Sequence, residues 1–198
     1  GQLQGRIVVS HSVEGHVTGA DLATNAGAVP DPVSIREREL KLEGDAASLE
    51  TAFGSLAVAG SVIAPAKNLN SLYFDTPAGA LWSRGYVLRV RKSQGKFVQT
   101  LKLPESDRMA ADSRREIEVR CVNDTPDPAL FGGDIFALIE EITSGAPLMP
   151  RFSTLIKRRT LMLDVWGARV EAALDIGNII DGTSKVPVRE IELELKEG

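Results

Sequence analysis

The sequence contains little of what builds disulfides, zinc sites or membrane spans. Its single cysteine, Cys121, excludes an intrachain disulfide framework and favours a reducing compartment. The two histidines, His11 and His16, have no further histidine or cysteine beside them, so a zinc-type site is not indicated. No stretch approaches the roughly 18 apolar residues of a membrane-spanning helix, and no charged segment precedes an apolar one near the start. We therefore expect a cytoplasmic protein with no membrane partner.

Basic charge is also in short supply. The chain carries 23 Lys and Arg against 27 Asp and Glu, a formal net charge of −4. A nucleic-acid-binding protein normally presents a net basic surface, so no nucleic-acid partner is expected. The GxxxxGK[ST], HExxH and GxSxG patterns are absent, which argues against P-loop nucleotide hydrolases, zinc peptidases and α/β-hydrolases.

The composition divides the chain into two segments. Residues 1–34 are rich in Gly, Ala, Ser and Val, lack a sustained period and end in the Pro30-Asp31-Pro32 breaker, so they are interpreted as an irregular N-terminal extension or a segment added for expression. Residues 35–198 have the length and hydrophobic content of one domain with a sizeable core.

What the second segment has in abundance is alternation of charged and apolar residues, which is typical of half-buried strands. Eight strands are predicted near residues 36–43, 69–75, 85–93, 96–103, 113–120, 154–164, 169–177 and 188–196. Two helices interrupt them, one capped by Asp45 and one capped by Asp134 and stopped by Gly145. The predicted fold class is α+β, mainly β: an eight-stranded antiparallel closed β-barrel with the helices packed outside.

The charged residues of these strands share one face, because side chains at i, i+2 and i+4 point the same way. By this parity the rows are Glu37, Glu39 and Lys41; Arg89 and Arg91; Lys102; Arg114, Glu116 and Glu118; Arg158; Glu171 and Asp175; and Glu190, Glu192, Glu194 and Lys196. The helices need the apolar face, so the charged rows are expected to face the interior of the barrel. The alternative is a set of solvated outer faces with salt bridges worth about 0–1 kcal/mol each.

A charged interior must contain water and counter-charge, because an unpaired buried charge costs several kcal/mol. A polyanion with divalent metal would supply that counter-charge: carboxylates bind hard cations such as Mg²⁺ or Mn²⁺, and arginine and lysine bind phosphate oxygens.

At these residues the chain resembles the CYTH superfamily, the triphosphate tunnel metalloenzymes, over about residues 35–197. The matching motifs are Glu37-x-Glu39-x-Lys41, Tyr73-Phe74-Asp75-Thr76-Pro77 followed by Leu88-Arg89-x-Arg91, Thr100-Leu101-Lys102, Arg114-x-Glu116-x-Glu118, Ala173-Leu174-Asp175-x-Gly177 and Glu190-Ile191-Glu192-Leu193-Glu194-Leu195-Lys196. The closing motif is most similar to that of bacterial inorganic triphosphatases, in which a helical CHAD domain often follows. A CHAD domain in a longer parent protein is therefore one expectation.

The resemblance implies a division of roles among the charged residues, with two ions of Mg²⁺ or Mn²⁺ as cofactors. The implied metal ligands are Glu37, Glu39, Glu192 and Glu194. The implied substrate-binding cations are Lys41, Arg89, Arg91, Lys102, Arg114 and Arg158. The implied catalytic carboxylates, of which one would position the attacking water, are Glu116, Glu118, Asp175 and Glu190.

The activity implied by the resemblance is metal-dependent hydrolysis of inorganic triphosphate to pyrophosphate and phosphate, with a small-molecule triphosphate or polyphosphate as partner. Three alternatives stay open within the superfamily: a class IV-like adenylyl cyclase, a thiamine triphosphatase and a nucleoside triphosphatase. A non-catalytic module that binds polyphosphate or nucleotide is an alternative of a different class. The sequence does not choose among the substrates or fix the oligomeric state.

Overall fold

A computed structural model of the chain describes residues 33–36, 39–104 and 115–198. Nine antiparallel strands form one sheet, and two helices pack on it. The strands are β1 (Val33–Arg36), β2 (Glu39–Glu43), β3 (Ser61–Asp75), β4 (Val87–Ser93), β5 (Lys96–Lys102), β6 (Arg115–Cys121), β7 (Met149–Val165), β8 (Ala168–Asp181) and β9 (Ser184–Glu197). The helices are α1 (Ala46–Ala59) and α2 (Gly133–Thr143).

The strand order is β1-β6-β5-β4-β3-β7-β8-β9-β2. The predicted first strand appears as two, because β1 pairs with β6 whereas β2 pairs with β9 at the opposite edge of the sheet. Only residues 37 and 38 separate β1 from β2 along the chain. Within the described residues the sheet is not closed by hydrogen bonds between its two edges.

Several strands extend beyond their predicted limits, and β3 shows why. It begins at Ser61 rather than near residue 69, and its pairing with β7 shifts register between Val62 and Ala64 and again between Ala64 and Lys67. Each shift breaks the period-2 pattern on which the sequence prediction depends. The pairs β3–β7, β7–β8 and β8–β9 consequently form longer ladders than the alternation indicated.

The helix prediction is confirmed for α1 and needs one correction for α2. Asp45 caps α1 by accepting a hydrogen bond from the backbone N–H of Ser48 at 3.0 Å. The cap of α2 is Gly132, which makes no side-chain capping bond, and Asp134 lies inside the first turn. Gly132 adopts φ 91°, a conformation that residues with a Cβ rarely reach, so the backbone rather than an acidic side chain sets where α2 begins.

Each helix covers a separate apolar cluster on the same face of the sheet. Leu49 and Phe53 of α1 pack on the ends of β7, β8 and β9 that carry Leu161, Leu174 and Ile191. The second cluster joins α2 to β4, β5 and β6 through buried residues that include Leu88, Val90, Leu101, Ile117, Val119, Ile139 and Ile142. At about 25 cal/mol per Å² of apolar surface, these clusters are the main stabilisation of the sheet.

Because these apolar residues alternate with the charged rows, the charged rows lie on the opposite side of the sheet, here called the charged face. Among the described residues, no helix is long and apolar enough to cross a membrane.

Candidate functional site

The charged face carries a compact group of carboxylates on β8 and β9. Asp175 and Glu190 are direct cross-strand partners, and Glu192 lies two residues further along β9. One oxygen from each of the three side chains lies within 4.8 Å of the other two. We call Asp175, Glu190 and Glu192 the acidic triad. An all-oxygen donor set of this kind fits a hard divalent cation such as Mg²⁺ or Mn²⁺.

Two cations contact the acidic triad directly. Lys41 Nζ lies 3.0 Å from Glu190 Oε1 and 2.9 Å from Glu192 Oε1. The Arg158 guanidinium donates to both oxygens of Asp175, at 2.7 and 2.6 Å, and to Glu192 Oε2 at 2.5 Å. All three carboxylates therefore have a cationic partner within the protein.

The charges of these partners outweigh the effect of burial at Glu192. Burial alone would raise the pKa of this carboxyl, but Arg158 and Lys41 lower it to about 2. At Glu190 the balance goes the other way: burial raises the pKa, and the neighbouring charges of Glu192 and Asp175 add to the increase against the effect of Lys41. The triad thus combines a strongly ionised carboxylate with one that takes up a proton more readily.

A second charged group lies on β4, β5 and β6. Glu116 is only 1% exposed, and its Oε2 lies 3.3 Å from Nη2 of Arg89. Its carboxylate also contacts Lys102 Nζ. The Arg89 guanidinium lies 3.7 Å from Glu118, whose Oε1 accepts the Thr100 hydroxyl at 2.9 Å. Burial would raise the pKa of Glu116, but Lys102 and Arg89 lower it. Glu116 is therefore an ionised carboxylate held between two cations.

Arg91 differs from the other cations of the charged face. Among the described residues it takes part in no ion pair, and its buried Nε, like that of Arg89, has no hydrogen-bond partner. Burial and the neighbouring positive charges of Arg89 and Arg158 lower the pKa of Arg91 to about 10. The guanidinium stays protonated at neutral pH, so its positive charge is not directly paired with any carboxylate of the described residues.

The two charged groups influence each other across the sheet. The charge of Lys102 on β5 lowers the pKa of Glu192 on β9 and acts in the same direction on Glu39 of β2, whose pKa is raised by burial and by Glu192. Four strands separate β5 from β9 in the sheet order. A flat sheet would put them about 24 Å apart, two to three Debye lengths in physiological salt. An influence of Lys102 on both carboxylates favours a sheet that curves toward its charged face.

The structure places most of the sequence-predicted residues on this curved face. Among the predicted metal ligands, Glu192 belongs to the acidic triad and Glu194 contacts Lys196 at 2.5 Å. The charges of Glu192 and Glu194 both raise the pKa of the third ligand, Glu39. Glu37 and Arg114 lie outside the described residues. The predicted catalytic carboxylates separate into two locations, with Asp175 and Glu190 in the acidic triad and Glu116 and Glu118 beside Arg89.

Sequence reasoning gave no role to several residues that the structure places at the site. Tyr73 stands opposite Arg89 on β4 and stacks on Phe152 of β7, with ring centroids 4.4 Å apart, and its hydroxyl interacts with the Arg89 guanidinium. The two rings line a cavity of about 510 Å³ together with Trp82 and Tyr86. Applied to β3, the parity rule would have placed Tyr73 on the same face as Arg89 and Arg91. Tyr73 was left out because only charged residues were considered for that face.

Taken together, the described residues form an antiparallel sheet with helices on one side and, on the other side, a face that alternates carboxylates with arginine and lysine. The chain belongs to the CYTH domain family, whose profile matches residues 36–198.

A curated relative is the inorganic triphosphatase of Haemophilus influenzae, 31% identical over 131 residues. The match covers 66% of this chain and 36% of the relative, so the chain corresponds to about a third of that protein. Among solved structures, a candidate adenylate cyclase from Bacillus halodurans is similar at 19% identity and a TM-score of 0.53, over 83% of this chain and 81% of that one. That similarity concerns the fold alone.

Proposed function

We propose that this domain hydrolyses inorganic triphosphate to pyrophosphate and phosphate with the help of a divalent metal. The observation that carries the proposal is Arg91, a partly buried arginine that has no ion pair among the described residues, whose buried Nε has no hydrogen-bond partner and which has two further arginines near it. An uncompensated buried cation costs several kcal/mol, and a polyanion at this position would remove that cost. The inorganic triphosphatase relative supports the choice of substrate.

We further propose that the sheet closes into a tunnel. The edge strands β1 and β2 are separated by two residues, and three peptide units span at most about 11 Å. The edges at Arg36 and Glu39 are therefore held close together by the chain itself. The influence of Lys102 on Glu39 and Glu192 supports the same closure.

The side chains would then divide the work on a linear triphosphate. Arg89, Arg91 and Lys102 would contact phosphate oxygens, with Arg114 as a further predicted contact, and the positive charge would stabilise the negative charge that develops during transfer. The acidic triad, with Glu39 and Glu194 nearby, would hold the divalent ion. A bound ion would supply Lewis-acid stabilisation of phosphate oxygens. Asp175 and Glu190 are the carboxylates of the triad that were also predicted to position the attacking water.

The proposal is tested by a substrate panel on the purified chain. Phosphate release from inorganic triphosphate, ATP and thiamine triphosphate is followed with Mg²⁺, with Mn²⁺ and with chelator, while cAMP formation is monitored. We expect metal-dependent release from inorganic triphosphate, reduced at least about a hundredfold by Arg91→Ala and by Glu39→Ala. Arg159→Ala is the matched control, because Arg159 contacts Glu50 on the helix side of the sheet.

The same panel decides against the proposal if both variants keep wild-type turnover. Tight binding of triphosphate with no product over hours would instead indicate a binding module, and cAMP from ATP would indicate a cyclase. The cavity beside the Tyr73–Phe152 stack favours one second candidate, hydrolysis of a triphosphate that carries a planar ring. Faster release from ATP or thiamine triphosphate than from inorganic triphosphate would support that candidate.

A further inference from the structure

The acidic triad already holds two cations that belong to the protein. Lys41 bridges Glu190 and Glu192, and Arg158 bridges Asp175 and Glu192. Together they bring two positive charges to three carboxylates. A single divalent ion brings the same charge, so the ion and the Lys41–Arg158 pair are alternative counter-charges for the same oxygens.

The two arrangements compete for the same oxygens. Both oxygens of Asp175 contact Arg158, and those of Glu192 contact Lys41 and Arg158, at 2.5–2.9 Å. A metal bound by all three carboxylates would therefore share oxygens with these cations, and repulsion between the positive charges favours displacement of Lys41 or Arg158. A displaced lysine or arginine on a buried face needs a new anionic partner.

We propose that Lys41 and Arg158 act as internal counter-ions which occupy the acidic triad until a divalent metal displaces them, and which then bind the triphosphate. This inference rests on the proposed function. The position of Arg158 supports it, because its charge already acts on Arg91, the cation that has no ion pair among the described residues. Released from the triad, Arg158 would join Arg91 and Arg89 in a cluster of three arginines, a strong attractor for a polyanion.

The exchange makes the binding of metal and of triphosphate mutually dependent. Metal alone must compete with Lys41 and Arg158, and triphosphate alone finds these two cations engaged. When both ligands bind, every cation and every carboxylate has a partner of opposite charge. The two ligands should therefore increase each other's affinity by the same factor, as linkage requires.

The test measures the binding of Mn²⁺ alone, which needs no turnover. Free Mn²⁺ is titrated against the chain and followed by its electron paramagnetic resonance signal in a phosphate-free buffer. We expect Lys41→Gln to bind Mn²⁺ about tenfold more tightly than the wild type, since one competing positive charge has been removed. In the presence of saturating Mn²⁺, the same variant should bind a methylene-bridged triphosphate analogue about tenfold more weakly. A loss of polyanion affinity combined with a gain in metal affinity is the signature of a counter-ion.

Arg158→Gln provides a second, independent variant, and the chain offers a matched control one residue away. Arg158 contacts the acidic triad, whereas Arg159 pairs with Glu50 and lies over the Phe53 ring on the helix side. Like Lys41→Gln, Arg158→Gln should bind Mn²⁺ more tightly and the triphosphate analogue more weakly than the wild type. Arg159→Gln should leave both affinities within about twofold of wild type. Thermal unfolding establishes that each variant is folded before titration.

The outcomes separate this inference from the proposed function. Unchanged or weaker Mn²⁺ binding in both folded variants overturns the counter-ion role, even if the wild type hydrolyses triphosphate. Tighter Mn²⁺ binding together with weaker analogue binding supports the role. If the wild type neither binds nor cleaves triphosphate, the proposed function fails, whatever the metal titrations show.

Discussion

The charged face has two halves that solve the same electrostatic problem differently. In the acidic half, formed by β2, β8 and β9, carboxylates predominate, and the triad is covered by Lys41 and by Arg158 from the neighbouring β7. In the basic half, formed by β4, β5 and β6, Glu116 and Glu118 engage Arg89 and Lys102, whereas Arg91 has no ion pair among the described residues. Among these residues, one half therefore has more negative than positive charge, and the other has more positive than negative charge.

The side of the sheet that carries the helices is divided in the same way as the charged face. Helix α1 covers β7, β8 and β9, and α2 covers β4, β5 and β6, so each half has its own apolar support. The site therefore lies between two separately packed units of one sheet. Variants in the two halves should consequently differ in kind as well as in size.

The largest expected difference concerns turnover of triphosphate. Asp175→Asn in the acidic half should lower kcat by about 10²–10³ at saturating metal with a change in KM below about threefold, since the phosphate contacts of the basic half remain. Arg91→Met should raise KM as well as lower kcat. Steady-state kinetics with varied metal and triphosphate measure both parameters. A purely KM-driven defect in Asp175→Asn would remove Asp175 from the catalytic residues.

The next difference concerns the free energy of unfolding without ligands. Removing the charge of one arginine of β4 should lower it, whereas removing the charge of another should raise it. Arg89→Met should destabilise the fold by about 3 kcal/mol, because it removes a partner of the buried Glu116. Arg91→Met should stabilise it by about 1 kcal/mol, because it removes a partly buried cation that has no ion pair among the described residues. Urea unfolding in phosphate-free buffer measures both. Equal destabilisation by the two variants would show that Arg91 is compensated in the free protein.

Acid sensitivity should also distinguish the acidic half. The folded-state pKa of Glu192 is about 2, below its ordinary value of 4.5, so its ionised form contributes stability above pH 4.5 that is lost as the pH falls towards 2. The contribution is on the order of 3 kcal/mol. Between pH 5 and 2 and without metal, the free energy of unfolding should therefore change less with pH for Glu192→Gln than for wild type.

Glu50→Gln is the control for the acid measurement, because Glu50 forms an exposed pair with Arg159 outside the charged face. It should keep the wild-type pH dependence. An unaltered slope in Glu192→Gln would mean that Arg158 and Lys41 do not lower the pKa of Glu192 as described.

The smallest effect compares the two helices. Asp45→Ala should destabilise the protein by about 1 kcal/mol, because Asp45 caps α1 through the Ser48 N–H. Asp134→Ala should cost less than about 0.5 kcal/mol, since α2 begins at Gly132 and Asp134 only adds a charge to its first turn. Thermal or urea unfolding measures both, and a larger loss for Asp134→Ala would reverse the assignment of the caps.

Alternation along the chain was enough to predict much of this architecture. The parity rule predicted that Glu192, Asp175, Arg89 and Lys102 share a face, because adjacent strands in register transmit a two-residue period across the sheet. It failed where the register shifts, as in the first half of β3. It also could not show that residues 33–43 supply two separate edges of the sheet, since pairing partners are set by tertiary contacts.

Pairing of charges was equally beyond the reach of the sequence. Glu190, Glu192 and Glu194 are equivalent in the motif, yet two of them join Asp175 and the third contacts Lys196. Which carboxylate meets which cation depends on strand register and on the curvature of the sheet, neither of which is local. The roles implied for these residues by family resemblance therefore stay predictions, including those of Glu37 and Arg114.

The central claim, that one charged interior binds metal on its acidic half and phosphate on its basic half, is tested most directly by diffraction. Crystals grown with Mn²⁺ and a methylene-bridged triphosphate analogue are measured at the manganese absorption edge. We expect an anomalous peak within coordinating distance of Asp175, Glu190 or Glu192 and phosphate oxygens on Arg91. Manganese and analogue bound on the helix side of the sheet, or Arg91 turned away from the analogue, would contradict it.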